Sequence, residues 1–355
     1  MPVEEIRGGL WSIPVAIPLP GLSAVIVYAF EVPGGLVLVD AGWGAPESLA
    51  SLQNGLGEIG ACLGDVRGAV FTHAHGDHYG LAGQVRERSG AWIALHGSDR
   101  PLVVARLQDG KLERDFSAWL SCAGVSDPEE QATMFPGQGR FSWRFPAILP
   151  DVILSDGDRI DAPGWELDVR HVPGHTPGHI VLIERRLGVI VTGDTVLARI
   201  TPNVSITPHS GADPLGDFLR SLDELACHLG FVGLAGHGHR VADVTTRARE
   251  IQSHHELQLR RTLEIVCLGA GSVREVGERM PWSRPWNALP GWERRAALGE
   301  AHAHLVALER RGLVELIAQR PWRWRAARGV TPSEAEGPQG GSGILQSETG
   351  TGNVE

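Results

Sequence analysis

The stretch THAHGDH, residues 72–78, places three imidazoles and one carboxylate close together in a chain of 355 residues. It follows an apolar, β-branched run that predicts a buried strand. On extended backbone alternate side chains share a face, so His73 and His75 are expected to point to the same side. Asp77 and His78 lie where the chain turns into the next predicted helix, and they can face a second ion. Imidazole and carboxylate suit Zn²⁺, Fe²⁺ or Mn²⁺, so this stretch predicts a metal site.

Three further segments place a candidate ligand at a glycine turn directly after a predicted strand. They are HVPGHTPGH (171–179), TGDT (192–195) and AGHGH (235–239). Each is a weak signal alone, because a polar residue at a strand end is often only a cap. Together they carry weight, since sites in α/β folds are built where strand ends meet at one edge. We therefore expect these segments to converge on residues 72–78.

Strand-like and helix-like segments alternate over most of the chain, which favours an α/β architecture. Strands are predicted at 23–30, 36–40, 66–72, 91–95, 152–154, 166–171, 180–184, 189–192 and 231–235. Helices are predicted among them at 46–56, 80–88 and 215–229. From about residue 245 the pattern changes to three helices and a small hairpin, predicted at 250–268, 272–279, 293–311, 313–317 and 322–325.

These motifs resemble those of the metallo-β-lactamase superfamily, whose members are mostly dinuclear metal hydrolases. The resemblance covers roughly residues 5–245 and implies an α/β (α+β) fold, the four-layer αβ/βα sandwich. It implies one metal on His73, His75 and His175. It implies a second metal on Asp77, His78 and His237. Two further carboxylates have implied roles: Asp194 bridges both ions, and Asp40 orients the ligands from behind. The expected cofactors are two divalent ions, zinc first, with iron or manganese as alternatives.

Two metals that share an oxygen ligand lower its pKa, which predicts a bridging hydroxide near neutral pH. This hydroxide would attack a carbonyl polarised by one metal. We expect Asp77 to orient it and to pass a proton to the leaving group. Tyr79 and His209 are candidates for a hydrogen bond to the substrate.

The segment 98–150 is longer than compact superfamily members need, is rich in aromatic residues and predicts short helices. We expect it to be an insertion that caps the metal cleft of a catalytic domain spanning residues 1–245. Such a cap suits an apolar small molecule, which predicts an acyl substrate: a thioester, an ester or a lactone. The alternative is a surface elaboration that packs its own aromatic side chains, among them Phe141, Trp143 and Phe145.

Residues 246–328 resemble the winged-helix appendage of superfamily members related to glyoxalase II and to a mitochondrial endoribonuclease. They contain 15 arginines against nine acidic residues, and Trp322 and Trp324 stand between arginines of the predicted wing. Basic and aromatic side chains together can grip single-stranded RNA, so a single-strand endoribonuclease that uses the same metals is the alternative function. A module that only packs or forms a homodimer is the other interpretation.

The composition excludes several classes of protein. The net charge of −10 argues against a protein that coats nucleic acid generally. No apolar run is long enough for a membrane helix, and the first residues lack the pattern of a signal peptide, so a cytoplasmic protein without a membrane partner is expected. The four cysteines form no CxxC pair. Residues 329–355 are rich in Gly, Ser, Pro and Glu, which predicts a disordered tail.

Overall fold

The larger of two main β-sheets contains seven strands, and the motif at residues 72–78 follows one of them. The computed structural model describes residues 1–19, 22–135 and 147–331. Along the sheet the strands follow chain order: β1 (Glu4–Arg7), β2 (Leu10–Leu19), β3 (Leu22–Val32), β4 (Gly35–Val39), β5 (Val66–Val70), β6 (Trp92–His96) and β7 (Val152–Leu154). The pairs from β1 to β4 are antiparallel and those from β4 to β7 are parallel.

A four-stranded sheet faces the first one. Its strands are β8 (Leu167–His171), β9 (Ile180–Glu184), β10 (Val189–Gly193) and β11 (Val232–Ala235), in the order β11-β10-β9-β8. β10 pairs in parallel with β11, and the other two pairs are antiparallel. The parallel pair places the ends of β10 and β11 side by side, and with them the loops that carry Asp194 and His237.

Ten α-helices surround the two sheets in the described residues. They are α1 (Pro46–Glu58), α2 (Gly76–Tyr79), α3 (Ala82–Ser89), α4 (Arg100–Leu107), α5 (Lys111–Ala123), α6 (Pro128–Thr133), α7 (Pro214–Leu225), α8 (Val244–Cys267), α9 (Val273–Arg279) and α10 (Gly291–Arg310). A hairpin of β12 (Val314–Gln319) and β13 (Trp322–Ala326) follows α10.

Strand β3 shows how the layers form, because both of its faces are buried. Ile26 and Tyr28 belong to the core between the sheets, whereas Val25 and Val27 belong to the core under α1 and α3. Strands covered on both faces are nearly continuous apolar runs, as this one is. A third core joins the outer face of the second sheet to α7, α8 and α10. The layers are therefore helices, sheet, sheet and helices, which confirms the predicted sandwich.

The C-terminal helices pack directly on this sandwich. Leu259 of α8 and Leu298 of α10 share a core with Phe218 of α7 and Ile190 of β10. Helix α8 begins at Val244, earlier than predicted, because the Asp243 side chain caps it by accepting hydrogen bonds from the next backbone amides. The three helices and the hairpin are present as predicted; their assignment to the winged-helix class stays a prediction.

The segment predicted as a cap contains α4, α5 and α6. Trp119 and Leu120 of α5 and Met134 lie in the core that the C-terminal helices share. Arg106 of α4 donates to the Ala74 carbonyl in the motif at 72–78, so the segment also touches the metal-site loop. Phe141, Trp143 and Phe145 lie outside the described residues, as do positions 332–355 of the predicted tail. In the described ranges no helix combines the length and the apolar character that crossing a membrane requires.

A buried histidine in α8 makes stability depend on pH. His255 is fully buried against Phe218 and His304, and among the described residues neither ring nitrogen has a hydrogen-bond partner. Burial lowers the pKa of His255 to about 2, with smaller contributions from His304 and His254. The unfolded chain therefore binds a proton near pH 6.5 while the folded protein resists it, so stability is lost as pH falls below 6.5.

We expect His255→Leu to remove part of this dependence. Between pH 6.5 and pH 5 the free energy of unfolding should fall by about 2 kcal/mol less in the variant than in the unmodified protein. Urea denaturation at both pH values measures it. His254→Leu, at the half-buried neighbour, should give a smaller change. An equal decrease in the free energy of unfolding between pH 6.5 and pH 5 in His255→Leu and in the unmodified protein would contradict the prediction.

Candidate metal centre

The predicted ligands converge at the edge where β4, β5, β10 and β11 end. Three overlapping groups could each hold a metal ion, and within each group the ligand atoms lie within 4.8 Å of one another. The groups are His73 with His75 and His175, His73 with His78 and Asp194, and Asp77 with His78 and His237. The structure thus brings together all seven residues that the resemblance implied as ligands.

Asp194 lies between the two sets of imidazoles. Its Oδ2 is 3.4 Å from His237 Nε2, 3.5 Å from His78 Nε2 and 3.7 Å from His175 Nε2. One carboxylate oxygen is therefore near ligands of both predicted ions. This is the position that a bridging ligand must occupy.

Hydrogen bonds at the outer ring nitrogens set the tautomers of two ligands. His175 Nδ1 lies 2.8 Å from the Asn203 carbonyl, and His237 Nδ1 lies 2.9 Å from the Ala24 carbonyl. A carbonyl oxygen only accepts, so each Nδ1 carries the proton and donates it. In the neutral ring each Nε2 then faces the cluster with its lone pair, as a metal ligand requires. Burial lowers the pKa of His237, but Asp194 and Asp77 outweigh it and raise this pKa to about 10, so a metal ion would have to displace the proton on its Nε2.

Asp40 orients a third ligand from behind, in the place that the resemblance implied. Its Oδ2 is 2.7 Å from His78 Nδ1, and its Oδ1 accepts from the Thr72 amide at 2.9 Å. Its backbone has a φ of 63°, a left-handed conformation that costs a non-glycine residue about 1–3 kcal/mol. The hydrogen bonds hold Asp40 in this conformation at the end of β4.

The donors of this cluster fit divalent metal ions. His73 Nε2 and Asp194 Oδ1 are buried, and no hydrogen-bond partner for either is found among the described residues. Buried polar atoms normally have partners, so these two mark positions where a cation would complete the arrangement. Imidazole nitrogens also face each other closely, at 3.0 Å between His75 and His175 and 3.3 Å between His78 and His237.

The electrostatics give four ligands, His73, His75, Asp77 and Asp194, the charge that a metal needs, whereas neighbouring carboxylates raise the pKa of His78 and His237. Burial, with neighbouring imidazoles, lowers the pKa of His75 to about 3 and that of His73 well below its usual value. Burial opposes ionisation of Asp77, but His78 and His237 outweigh it and hold the Asp77 pKa below its ordinary range. Neutral imidazoles and ionised carboxylates are the metal-binding forms.

Glycine is required at position 236, where strand β11 ends beside the ligand cluster. A Cβ at Gly236 would lie 2.6 Å from Asp194 Oδ1 and 2.8 Å from His78 Cε1. These distances are shorter than any ordinary contact, so only glycine lets β11 bring His237 this close.

Two further residues support the site; His179 was expected to support the fold and not to bind metal, whereas Asp99 was not among the predicted residues. Asp99 is buried and accepts from the Ala74 amide at 2.8 Å and the Gly178 amide at 2.6 Å, which ties the loop of His73 and His75 to the loop of His175. His179 accepts from the Asp194 amide through Nε2 at 3.0 Å. Asp99 follows β6, the parallel neighbour of β5, so the strand-end argument could have found it.

Replacing Asp99 by alanine should weaken metal binding. Its removal leaves buried amides without acceptors, and loss of such supporting groups typically costs about 10–100-fold in metal affinity. Chelator competition with Zn²⁺ measures the change. Asp65→Ala removes an exposed capping carboxylate that accepts from the Cys62 amide, and its metal affinity should stay unchanged. Unaltered affinity in Asp99→Ala would show that the two loops hold their positions without it.

The candidate substrate contacts lie outside the three ligand groups. Tyr79 is 1% exposed, packs edge-on against Phe71, and donates its hydroxyl to the Ile148 carbonyl at 3.0 Å. These contacts place Tyr79 in the core, and they argue against its predicted role at the substrate. His209 lies 3.3 Å from Asp115 of α5, on the side of the predicted cap.

Comparison with known proteins agrees with this geometry. The family model described as "Metallo-beta-lactamase superfamily" matches residues 18–226. The crystal structure of metallo-beta-lactamase family protein TTHA1429 from Thermus thermophilus superposes with a TM-score of 0.77 at 30% identity, covering 91% of this chain and 100% of that one.

Two curated relatives are similar over shorter spans. The probable metallo-hydrolase YqjP of Bacillus subtilis is 28% identical over 261 residues, which cover 71% of this chain and 78% of YqjP. The human acyl-coenzyme A thioesterase MBLAC2 is 33% identical over 128 residues, 36% of this chain and only 40% of MBLAC2. On the match to more than half of its length and the arrangement of its ligands, this chain belongs to the metallo-beta-lactamase superfamily of metal-dependent hydrolases.

Proposed function

We propose that this protein hydrolyses a thioester, ester or lactone of a small molecule at two divalent metal ions, zinc being the expected metal. The observation that carries the proposal is the position of Asp194 Oδ2, within 3.7 Å of imidazole nitrogens from both ligand sets. The similarity to an acyl-coenzyme A thioesterase supports an acyl substrate, and a thioester is the first choice.

In this proposal seven residues hold the metals, and one of them, Asp77, also handles protons. His73, His75 and His175 would hold one ion; Asp77, His78 and His237 would hold the second; Asp194 would contact both. The ions, when bound, supply Lewis-acid polarisation of a carbonyl and activate water near neutral pH.

Asp77 is the proposed proton carrier. Its side chain is 16% exposed, somewhat more than the 11% of Asp194, and its Oδ2 lies 3.3 Å from His237 Nε2. Its lowered pKa keeps it ionised, so Oδ2 can accept a hydrogen bond from the attacking water and orient it. The same oxygen can then take the proton and deliver it to the leaving thiolate or alkoxide.

The test is an assay of the purified protein after elemental analysis of its metals. A panel of acyl thioesters, esters and lactones is run beside a single-stranded RNA, with His75→Ala, Asp77→Asn and the exposed His239→Ala as a matched control. We expect thioester turnover in the unmodified protein and in His239→Ala, and its loss in the other two variants. RNA cleavage lost in His75→Ala, without acyl turnover, would overturn the proposal.

The RNA alternative stays a prediction, and the structure gives it less support than the sequence did. Trp324 is 3% exposed and donates Nε1–H to Glu309 at 3.0 Å, while Trp322 packs on His302 with ring centres 4.5 Å apart. Bases stack on exposed aromatic faces, and both of these rings pack within the C-terminal module, which consists of α8, α9, α10 and the hairpin of β12 and β13.

A further inference from the structure

Helix α10 of the C-terminal module holds the loop at residues 203–206. Asn203 Nδ2 donates to Glu300 Oε2 at 2.9 Å, and the Ile206 amide donates to the Gly299 carbonyl at 3.0 Å. Ser205 Oγ lies 3.2 Å from the Ala296 carbonyl. Side-chain and backbone contacts therefore clamp this loop to one turn of α10.

The close approach depends on a glycine in the helix. A Cβ at Gly299 would lie 2.7 Å from Ser205 Cβ and Oγ. Because α10 presents only a hydrogen atom there, the loop reaches the helix backbone and places Asn203 beside Glu300.

The clamped residue is also the one that touches a predicted ligand. The carbonyl of Asn203 accepts the hydrogen bond from His175 Nδ1 at 2.8 Å. Side chain and carbonyl belong to one residue, so fixing the first restricts the second. A chain of two hydrogen bonds runs from Glu300 through Asn203 to His175.

We propose that Glu300 and Asn203 are positioning residues, which fix the ring orientation and the tautomer of His175 so that Nε2 is presented to the metal. This assignment rests on the metal centre proposed above. Glu300 lies beyond residues 18–226, the part that the family model matches, so the family resemblance does not assign it this role. It gives the C-terminal module a function in the centre itself: α10 completes the support of one ligand.

The test compares two carboxylates of the same helix. Glu300→Ala removes the acceptor for Asn203, whereas Glu293→Ala removes a surface carboxylate whose partner is Arg284. Glu300→Gln keeps an acceptor oxygen. We expect Glu300→Ala to lower the affinity for Zn²⁺ by about 10–100-fold in chelator competition, and Glu300→Gln and Glu293→Ala to stay close to the unmodified protein.

A second readout reports the ligand itself. In the Co²⁺-loaded protein the visible d–d bands depend on ligand geometry, so Glu300→Ala should shift them and Glu293→Ala should not. Asn203→Ala, in a loop, keeps the backbone carbonyl but breaks the link to Glu300; it should reproduce the Glu300→Ala result even if that variant folds poorly.

The outcomes separate this proposal from the proposed function. Unchanged metal affinity and Co²⁺ bands in Glu300→Ala or in Asn203→Ala would overturn the positioning role, whatever the substrate is. Equal weakening in Glu300→Gln and Glu300→Ala would also overturn it, because the hydrogen bond would then not be the cause. Absence of acyl turnover with the expected affinity changes would overturn only the choice of substrate.

Discussion

Asp194→Asn, an isosteric change, should reduce turnover by at least about 10³-fold. The substitution keeps the size of the side chain and the backbone hydrogen bond from Asp194 to His179. It removes the negative charge from an oxygen that lies 3.4 Å from His237 Nε2 and 3.5 Å from His78 Nε2. A neutral amide cannot balance two divalent cations, so both should bind more weakly.

Steady-state kinetics and elemental analysis of the same preparation check this result. Asp168→Asn is the matched control, because Asp168, on β8, forms exposed ion pairs with Arg159 and Arg185. Such pairs contribute about 0–1 kcal/mol to stability and should not affect turnover. Two bound metals and unchanged turnover in Asp194→Asn would show that this carboxylate does not bridge the ions.

A chain that ends after Ala242 should not fold. This chain would still contain nearly all of the predicted catalytic domain, residues 1–245. The cut would expose the core in which Phe218 and Ile190 pack against α8 and α10. It would also remove Glu300 and with it the clamp on Asn203. We expect insoluble protein, or soluble protein without the near-ultraviolet dichroism of packed aromatic side chains.

A milder pair of substitutions measures the same dependence. Leu259→Ala on α8 removes a side chain that is 1% exposed, whereas Leu257→Ala removes one that is 38% exposed. The first should lower the free energy of unfolding by about 2–5 kcal/mol and the second by less than about 1 kcal/mol. Both should unfold in a single transition. A separate transition for the C-terminal helices, or a folded truncated chain, would contradict the shared core.

Local sequence patterns were sufficient to predict an α/β architecture and a metal site where strand ends converge, whereas the sandwich and the assignment of ligands to two ions were implied by the family resemblance. Strand ends are marked by apolar runs that stop at glycine turns, and the parallel strands of one sheet bring such ends to one edge. His175, Asp194 and His237 could therefore be placed beside residues 72–78, and the structure brings their ligand atoms together. The start of α8 was misjudged because the Asp243 cap lies before the apolar periodicity begins.

The strand-end argument could have placed Asp99 at the site, but the partners in the supporting contacts could not be predicted, because these contacts join residues far apart in the chain. Asn203 and Glu300 are separated by 97 positions, and Asp99 and Gly178 by 79. No periodicity or spacing records such a pair. Similarly, the arginines and tryptophans of the predicted wing suggested an alternative function in gripping RNA, but Trp324 is buried and donates its Nε1–H to Glu309.

The sequence by itself determined the α/β class and the metal-binding chemistry of the centre, because ligand type and strand-end position are local properties, and its motifs implied the fold family by their resemblance. Only the tertiary structure decided how the ligands are held. The hydrogen bonds that Asp99, the Asn203 carbonyl and Glu300 accept depend on how sheets and helices pack, and packing brings α10 of the C-terminal module to the loop beside His175. Burial determines which polar side chains need hydrogen-bond partners, and side chains become buried only when the layers assemble.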